Sequence, residues 1–183
     1  MWTVPNLLTL LRLALIPIFM LTFYLPFPYH EWATAGVFLL AALTDWFDGF
    51  LARRLKQLSE FGAFLDPVVD KLMVVAALIL LVCAYPVWWM TLAAIVIVMR
   101  EITVSALREW MAELGQRKKI KVSYLGKVKT TTQMVALVIL LSQQPGLSWI
   151  TLIGFLCLFV AVIMTLWSMC VYLAVFLRSL PRH

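Results

Sequence analysis

Four carboxylates stand out in this chain of 183 residues. Asp45 and Asp48 lie three apart and Asp66 and Asp70 four apart, so on helices each pair shares one face. Both pairs sit at the ends of apolar segments, where an unpartnered charge is costly. A short basic link, Arg53 to Gln57, joins the segments. If the two helices are antiparallel neighbours, all four carboxylates can converge on one point. Converging anions repel unless a cation lies between them. A hard divalent ion with carboxylate ligands is the simplest remedy, and Mg²⁺ bridging a phosphate-bearing substrate is its usual setting. No His or Cys accompanies the aspartates, which disfavours a soft-metal or redox centre.

A second charged set is basic. Arg100 and Glu101 lie deep inside an apolar run and need partners there. Glu101 and Arg108 are seven apart, nearly eclipsed on a helix. Two uses are open: an internal ion-pair ladder that fixes helix packing, or a cationic pocket for an anionic substrate. Lys127 and Lys129 are two apart, so at most one points squarely into a pocket. At the head of the chain, Asn6, Thr9 and Arg12 recur every three residues. They either line a donor site or form an interfacial turn whose arginine snorkels. Gly49 and Ala52 are small enough for a flat group to approach the backbone, although small residues also serve helix packing. Lys71 reads as a counter-ion beside Asp70. His30 has no partner within reach in sequence and is not expected to be a ligand.

The elements that must position these groups are membrane spans. Hydrophobic residues make up 64% of the chain and the mean hydropathy is +0.98, well above the roughly half apolar content of soluble domains. Six predicted spans use up residues 1–183 as one transmembrane domain: Leu7–Leu25, Trp32–Ala52, Phe61–Ala84, Trp89–Leu107 with an amphipathic extension to Gly115, Lys127–Leu141 and Trp149–Phe176. The first is too long, and carries Arg12, for a cleaved signal peptide. The fold class expected is therefore an all-α integral membrane protein. Every Lys and Arg falls on one side if the N-terminus is cytoplasmic, which predicts both termini inside. The net charge of +6 then belongs to an anionic lipid surface rather than to nucleic acid, because no basic stripe alternates with exposed aromatics. The run Arg117–Lys121 is a basic loop of this kind. Cys83, Cys157 and Cys170, scattered in apolar runs, read as small packing residues. A cation transporter would spread its acids along a path through the bilayer, whereas here they cluster at one end.

The spacing Asp-x2-Asp-Gly-x2-Ala-Arg-x8-Gly-x3-Asp-x3-Asp, from Asp45 to Asp70, resembles the signature of the CDP-alcohol phosphotransferase family at every defined position. The opening Pro5–Arg12, the run Arg100–Gly115 and Gly126–Thr130 are similar to the bacterial branch that uses glycerol 3-phosphate as acceptor. Members using phosphatidylglycerol, inositol phosphate or serine share the aspartates. The resemblance implies transfer of the phosphatidyl group of CDP-diacylglycerol to glycerol 3-phosphate, releasing CMP, as a step toward phosphatidylglycerol and cardiolipin. It implies that Asp45, Asp48 and Asp66 hold Mg²⁺, with Mn²⁺ as the alternative and two ions in all. Asp70 serves as general base and completes the metal shell. Asp48, Gly49, Ala52, Arg53, Gly62, Asn6 and Thr9 face the nucleotide lipid, and Arg100, Arg108, Lys127 and Lys129 hold the acceptor phosphate. It also implies a homodimer in the bacterial inner membrane, with the site facing the cytoplasm.

Overall fold

The computed structural model describes residues 4–55, 60–113, 124–146 and 148–179; side chains are described for most of these, but not for 46–55 or 124–127. Six helices are found among the described residues: α1 (Val4–Tyr24), α2 (His30–Leu55), α3 (Glu60–Ala84), α4 (Trp88–Glu113), α5 (Tyr124–Leu141) and α6 (Trp149–Ser179). Each coincides with a predicted span to within a few residues. The helices begin earlier than hydropathy alone suggests, because polar first turns are helical too.

Long apolar stretches give helices here because no water competes for backbone N–H and C=O groups in hydrocarbon. Hydroxyl side chains inside the spans turn back on their own helix for the same reason. Thr34 donates to the His30 carbonyl at 2.7 Å, and Thr165 to that of Ala161 at 2.6 Å. Ser148 caps α6: its Oγ accepts the Thr151 N–H at 3.0 Å, which satisfies one of the four free donors at the helix start.

Four helices are long and apolar enough to cross a membrane: α1, α3, α4 and α6. The protein is thus a multi-pass membrane protein. The other two fall short for different reasons. α2 is 26 residues long but charged at both ends. The apolar part of α5 runs only from Val128 to Leu141.

The closest packing is between α5 and α6 and between α1 and α2, with α3 bridging α1, α2, α4 and α5. A Cβ added to Gly154 on α6 would stand 2.8 Å from Cδ2 of Leu140 on α5, so the absent side chain is what lets these two helices approach. Phe19, Phe38, Leu78, Leu81, Ile97 and Leu137 form the fully buried centre. Large apolar side chains such as Leu21, Ile79, Met99 and Ile163 cover the outside, as expected of a surface that meets lipid rather than water. Cys83 and Cys170 lie on that exposed surface; packing accounts only for the half-buried Cys157.

The turns between α1 and α2, α3 and α4, and α5 and α6 gather at one end of the bundle. Tyr85 ties two of them, donating to the Leu140 carbonyl at 3.4 Å while its ring meets the edge of Phe155 at 5.3 Å. In the first turn Tyr29 holds φ at 64°, a left-handed conformation that L side chains rarely adopt. The charged residues lie toward the other end. Pro67 sits inside α3, which starts at Glu60. It removes one ladder hydrogen bond beside the acidic cluster.

Candidate active site

A cavity of about 530 Å³ opens among α1 to α5 and is lined by Arg12, Asp45, Asp70 and Lys71 on one side and Arg100, Glu101 and Arg108 on the other. The rest of the lining is mostly apolar, with Phe38, Ala41, Met73, Val74 and Met134, and takes polar side chains from Thr130, Thr131 and Gln133 of α5. Helix periodicity explains the layout. Phe38, Ala41 and Asp45 follow each other at three and four residues on α2, as do Asp70, Met73 and Val74 on α3, so each acid and its apolar floor share a face.

The acidic side is organised by Arg12. Its Nη1 donates to Asp45 Oδ1 at 3.0 Å and also to Asp70 Oδ1. Arg12 is 1% exposed, which overturns the interfacial, snorkelling alternative: the guanidinium points inward and holds α1 to both α2 and α3. Thr9, one turn earlier on the same face of α1, donates to Asp66 Oδ1. Asn6 is also buried there, as is Gly62 at the start of α3. The N-terminal helix therefore supplies a polar stripe that reaches the carboxylates directly.

The basic side has the inverse arrangement. Glu101 Oε1 accepts from Arg100 Nη1 and from Lys129 Nζ, both at 2.8 Å. Arg100 also donates to Ser168 at 3.1 Å, and Lys129 is 1% exposed. Arg108 does not complete a ladder with Glu101, although the two share a face. It donates instead to the Tyr172 hydroxyl at 2.8 Å, with its guanidinium carbon 5.2 Å from the centre of that ring. Both alternatives raised by the sequence thus have a counterpart: an ion-pair network for Arg100, Glu101 and Lys129, and a cationic cavity wall for Arg100 and Arg108.

Of the residues singled out by sequence, Asp45, Asp70, Arg100 and Arg108 line the cavity. Asp66 bonds Thr9 while remaining within electrostatic reach of Asp70. The side chains of Asp48, Gly49, Ala52, Arg53 and Lys127 and the loop Arg117–Lys121 lie outside the described residues, as does the end of the link from Arg53 to Gln57. Lys71 is not the expected counter-ion of Asp70; it donates across to Ser105 on α4. His30 pairs with its neighbour Glu31 at 3.3 Å, far from the acids. Thr130, Thr131 and Gln133, which the sequence reading passes over as site residues, also line the cavity. Polar side chains recurring down an otherwise apolar helix, as Lys129 and Gln133 do four residues apart, are the signal that finds them.

Among the described residues no three carboxylate, imidazole or thiol groups form a ready metal cluster. The donor chemistry nevertheless suits a hard ion. Asp45 and Asp70 each place an oxygen on the same Arg12 nitrogen, so they converge on one point. Both are also partly exposed to the cavity, by 48% and 42%.

Fold and cavity together place acids opposite cations inside a multi-pass membrane protein. Residues 2–177 match the family model for CDP-alcohol phosphatidyltransferase, and the chain belongs to that family. It is also 54% identical, over 94% of both chains, to the CDP-diacylglycerol–glycerol-3-phosphate 3-phosphatidyltransferases of Escherichia coli K12 and Shigella flexneri.

Proposed function

We propose that the protein transfers the phosphatidyl group of CDP-diacylglycerol to glycerol 3-phosphate, giving phosphatidylglycerophosphate and CMP. The observation that carries this is the cavity itself, with Asp45 and Asp70 on one wall and Arg100 and Arg108 on the other. A phosphorylated acceptor needs fixed cations beside the reacting centre, which a neutral alcohol does not. The names of the relatives support the same pair of substrates.

In this proposal Asp45, Asp48, Asp66 and Asp70 hold Mg²⁺, and bound metal neutralises charge on the diphosphate of the donor. Asn6, Thr9, Gly49, Ala52, Arg53 and Gly62 face the donor. Arg100, Arg108 and one of Lys127 and Lys129 hold the acceptor phosphate. Lys129 is linked to Arg100 through their shared Glu101. Asp70 removes the proton from the primary hydroxyl of the acceptor. That oxygen bonds to the phosphorus bearing diacylglycerol, the bond to the CMP oxygen breaks, and CMP leaves. Arg12 keeps Asp45 and Asp70 together and aligned.

The proposal includes six spans with both termini in the cytoplasm, the cavity facing that side of a bacterial inner membrane, and a homodimer. Positive charge gathered at one end of the bundle supports the orientation. The test is purified protein in detergent with CDP-diacylglycerol and glycerol 3-phosphate, inositol phosphate or serine in turn. CMP release is expected with glycerol 3-phosphate and Mg²⁺, lost with EDTA and restored by excess Mg²⁺. Release with another acceptor alone, or full activity under EDTA, overturns it.

A further inference from the structure

Gln133 lines the cavity together with Thr130 and Thr131 of the same helix, and it is 4% exposed. Its Oε1 is buried and meets no hydrogen-bond partner among the described residues, a costly condition for an amide oxygen unless a ligand satisfies it. Gln133 lies four residues beyond Lys129 on the same face of α5, about 6 Å further along the helix. The same cavity is lined by Phe38, Met73, Val74 and Met134, none of which can hydrogen-bond strongly.

We infer that Gln133 is a specificity-determining residue whose carboxamide oxygen accepts a hydrogen bond from the secondary hydroxyl of a short phosphorylated polyol. This rests on the acceptor assignment above. With the phosphate held by the arginines and the primary hydroxyl at Asp70, the middle carbon spans the cavity between its two charged walls. Its hydroxyl then comes within reach of Gln133, whose amide oxygen is the buried acceptor without a partner among the described residues. An acceptor without that hydroxyl leaves the amide oxygen buried and unmatched, and is rejected on that account.

The test compares kcat/KM for glycerol 3-phosphate and for 3-hydroxypropyl phosphate, which lacks only the secondary hydroxyl. The wild-type enzyme is expected to prefer glycerol 3-phosphate by about tenfold, the worth of one hydrogen bond. In Gln133→Leu that ratio collapses toward one, because the loss falls selectively on glycerol 3-phosphate. Gln133→Met, closer in shape, gives the same ratio if the leucine variant does not fold. An equal loss with both acceptors, leaving the ratio intact, overturns the inference and makes Gln133 a packing residue. So does a wild-type enzyme indifferent to the hydroxyl. Absence of any turnover of glycerol 3-phosphate by the wild type is a separate outcome: it overturns the proposed function, and this inference with it.

Discussion

The two walls of the cavity are built on one plan with the signs reversed. On α1 to α3 a buried cation, Arg12, is shared by two carboxylates; on α4 and α5 a carboxylate, Glu101, is shared by two cations. Each trio leaves one charge uncompensated, negative on the first wall and positive on the second. Such an arrangement limits the cost of placing charge in a membrane protein, yet each wall still attracts a ligand of opposite sign. The walls differ in what stands beside the trio. Asp66 adds negative charge to the first and is held by a neutral hydroxyl, Thr9. Arg108 adds positive charge to the second and is likewise held by a neutral hydroxyl, Tyr172. The shared central ion builds the wall, and in the proposed function Asp66 and Arg108, each held by a neutral hydroxyl, would exchange that partner for metal and acceptor phosphate.

That difference can be broken from either side. Asp70→Asn should have the largest effect, lowering the rate of CMP release by about 10²- to 10⁴-fold as expected for loss of a general base. Donor binding, followed by calorimetry, should be largely retained; wild-type turnover would remove Asp70 from the chemistry. Glu101→Gln leaves Arg100 and Lys129 without their common anion. It should destabilise the folded protein by about 3 kcal/mol, within the range for breaking a buried pair, measured as a fall in the detergent-solubilised melting temperature. An unshifted melting curve would mean that the second trio is not structural. Arg108→Ala should leave stability near wild type and raise KM for glycerol 3-phosphate by about 10- to 100-fold, the loss of one charge-assisted hydrogen bond. KM for CDP-diacylglycerol should stay unchanged. The smallest effect belongs to a site remote from both walls. Ser148→Ala, which removes the cap of α6, should cost about 1 kcal/mol of stability with kcat/KM intact, and serves as the control for the other three.

The helices were legible because hydrocarbon admits little else: apolar length alone marked α1, α3, α4 and α6. Periodicity also placed Asp45 and Asp70 toward a common point and put Arg100 and Arg108 near a pocket. Long-range partners were beyond it. Spacing reveals neighbours within one helix, so the pairing of Glu101 with Arg108 looked natural, whereas the fold offers Glu101 to Lys129, 28 residues away, and Arg108 to Tyr172. Arg12 was ambiguous for the same reason: an arginine near the end of a span looks identical in sequence whether it reaches out to water or in to Asp45 and Asp70. Gln133 carried too little signal alone, since one amide in a helix is ordinary until its surroundings prove apolar.

The shortness of α5 has a consequence for the surrounding lipid. Its apolar stretch, Val128–Leu141, extends about 21 Å at 1.5 Å per residue, against a hydrocarbon thickness near 30 Å. In the proposed six-span topology the bilayer would dimple beside this helix, or admit water to the depth of Lys129. With the proposed substrates, the hydrophilic acceptor would then descend no further than the displaced headgroups to reach the cavity, while the diacyl donor would arrive sideways from the acyl chains.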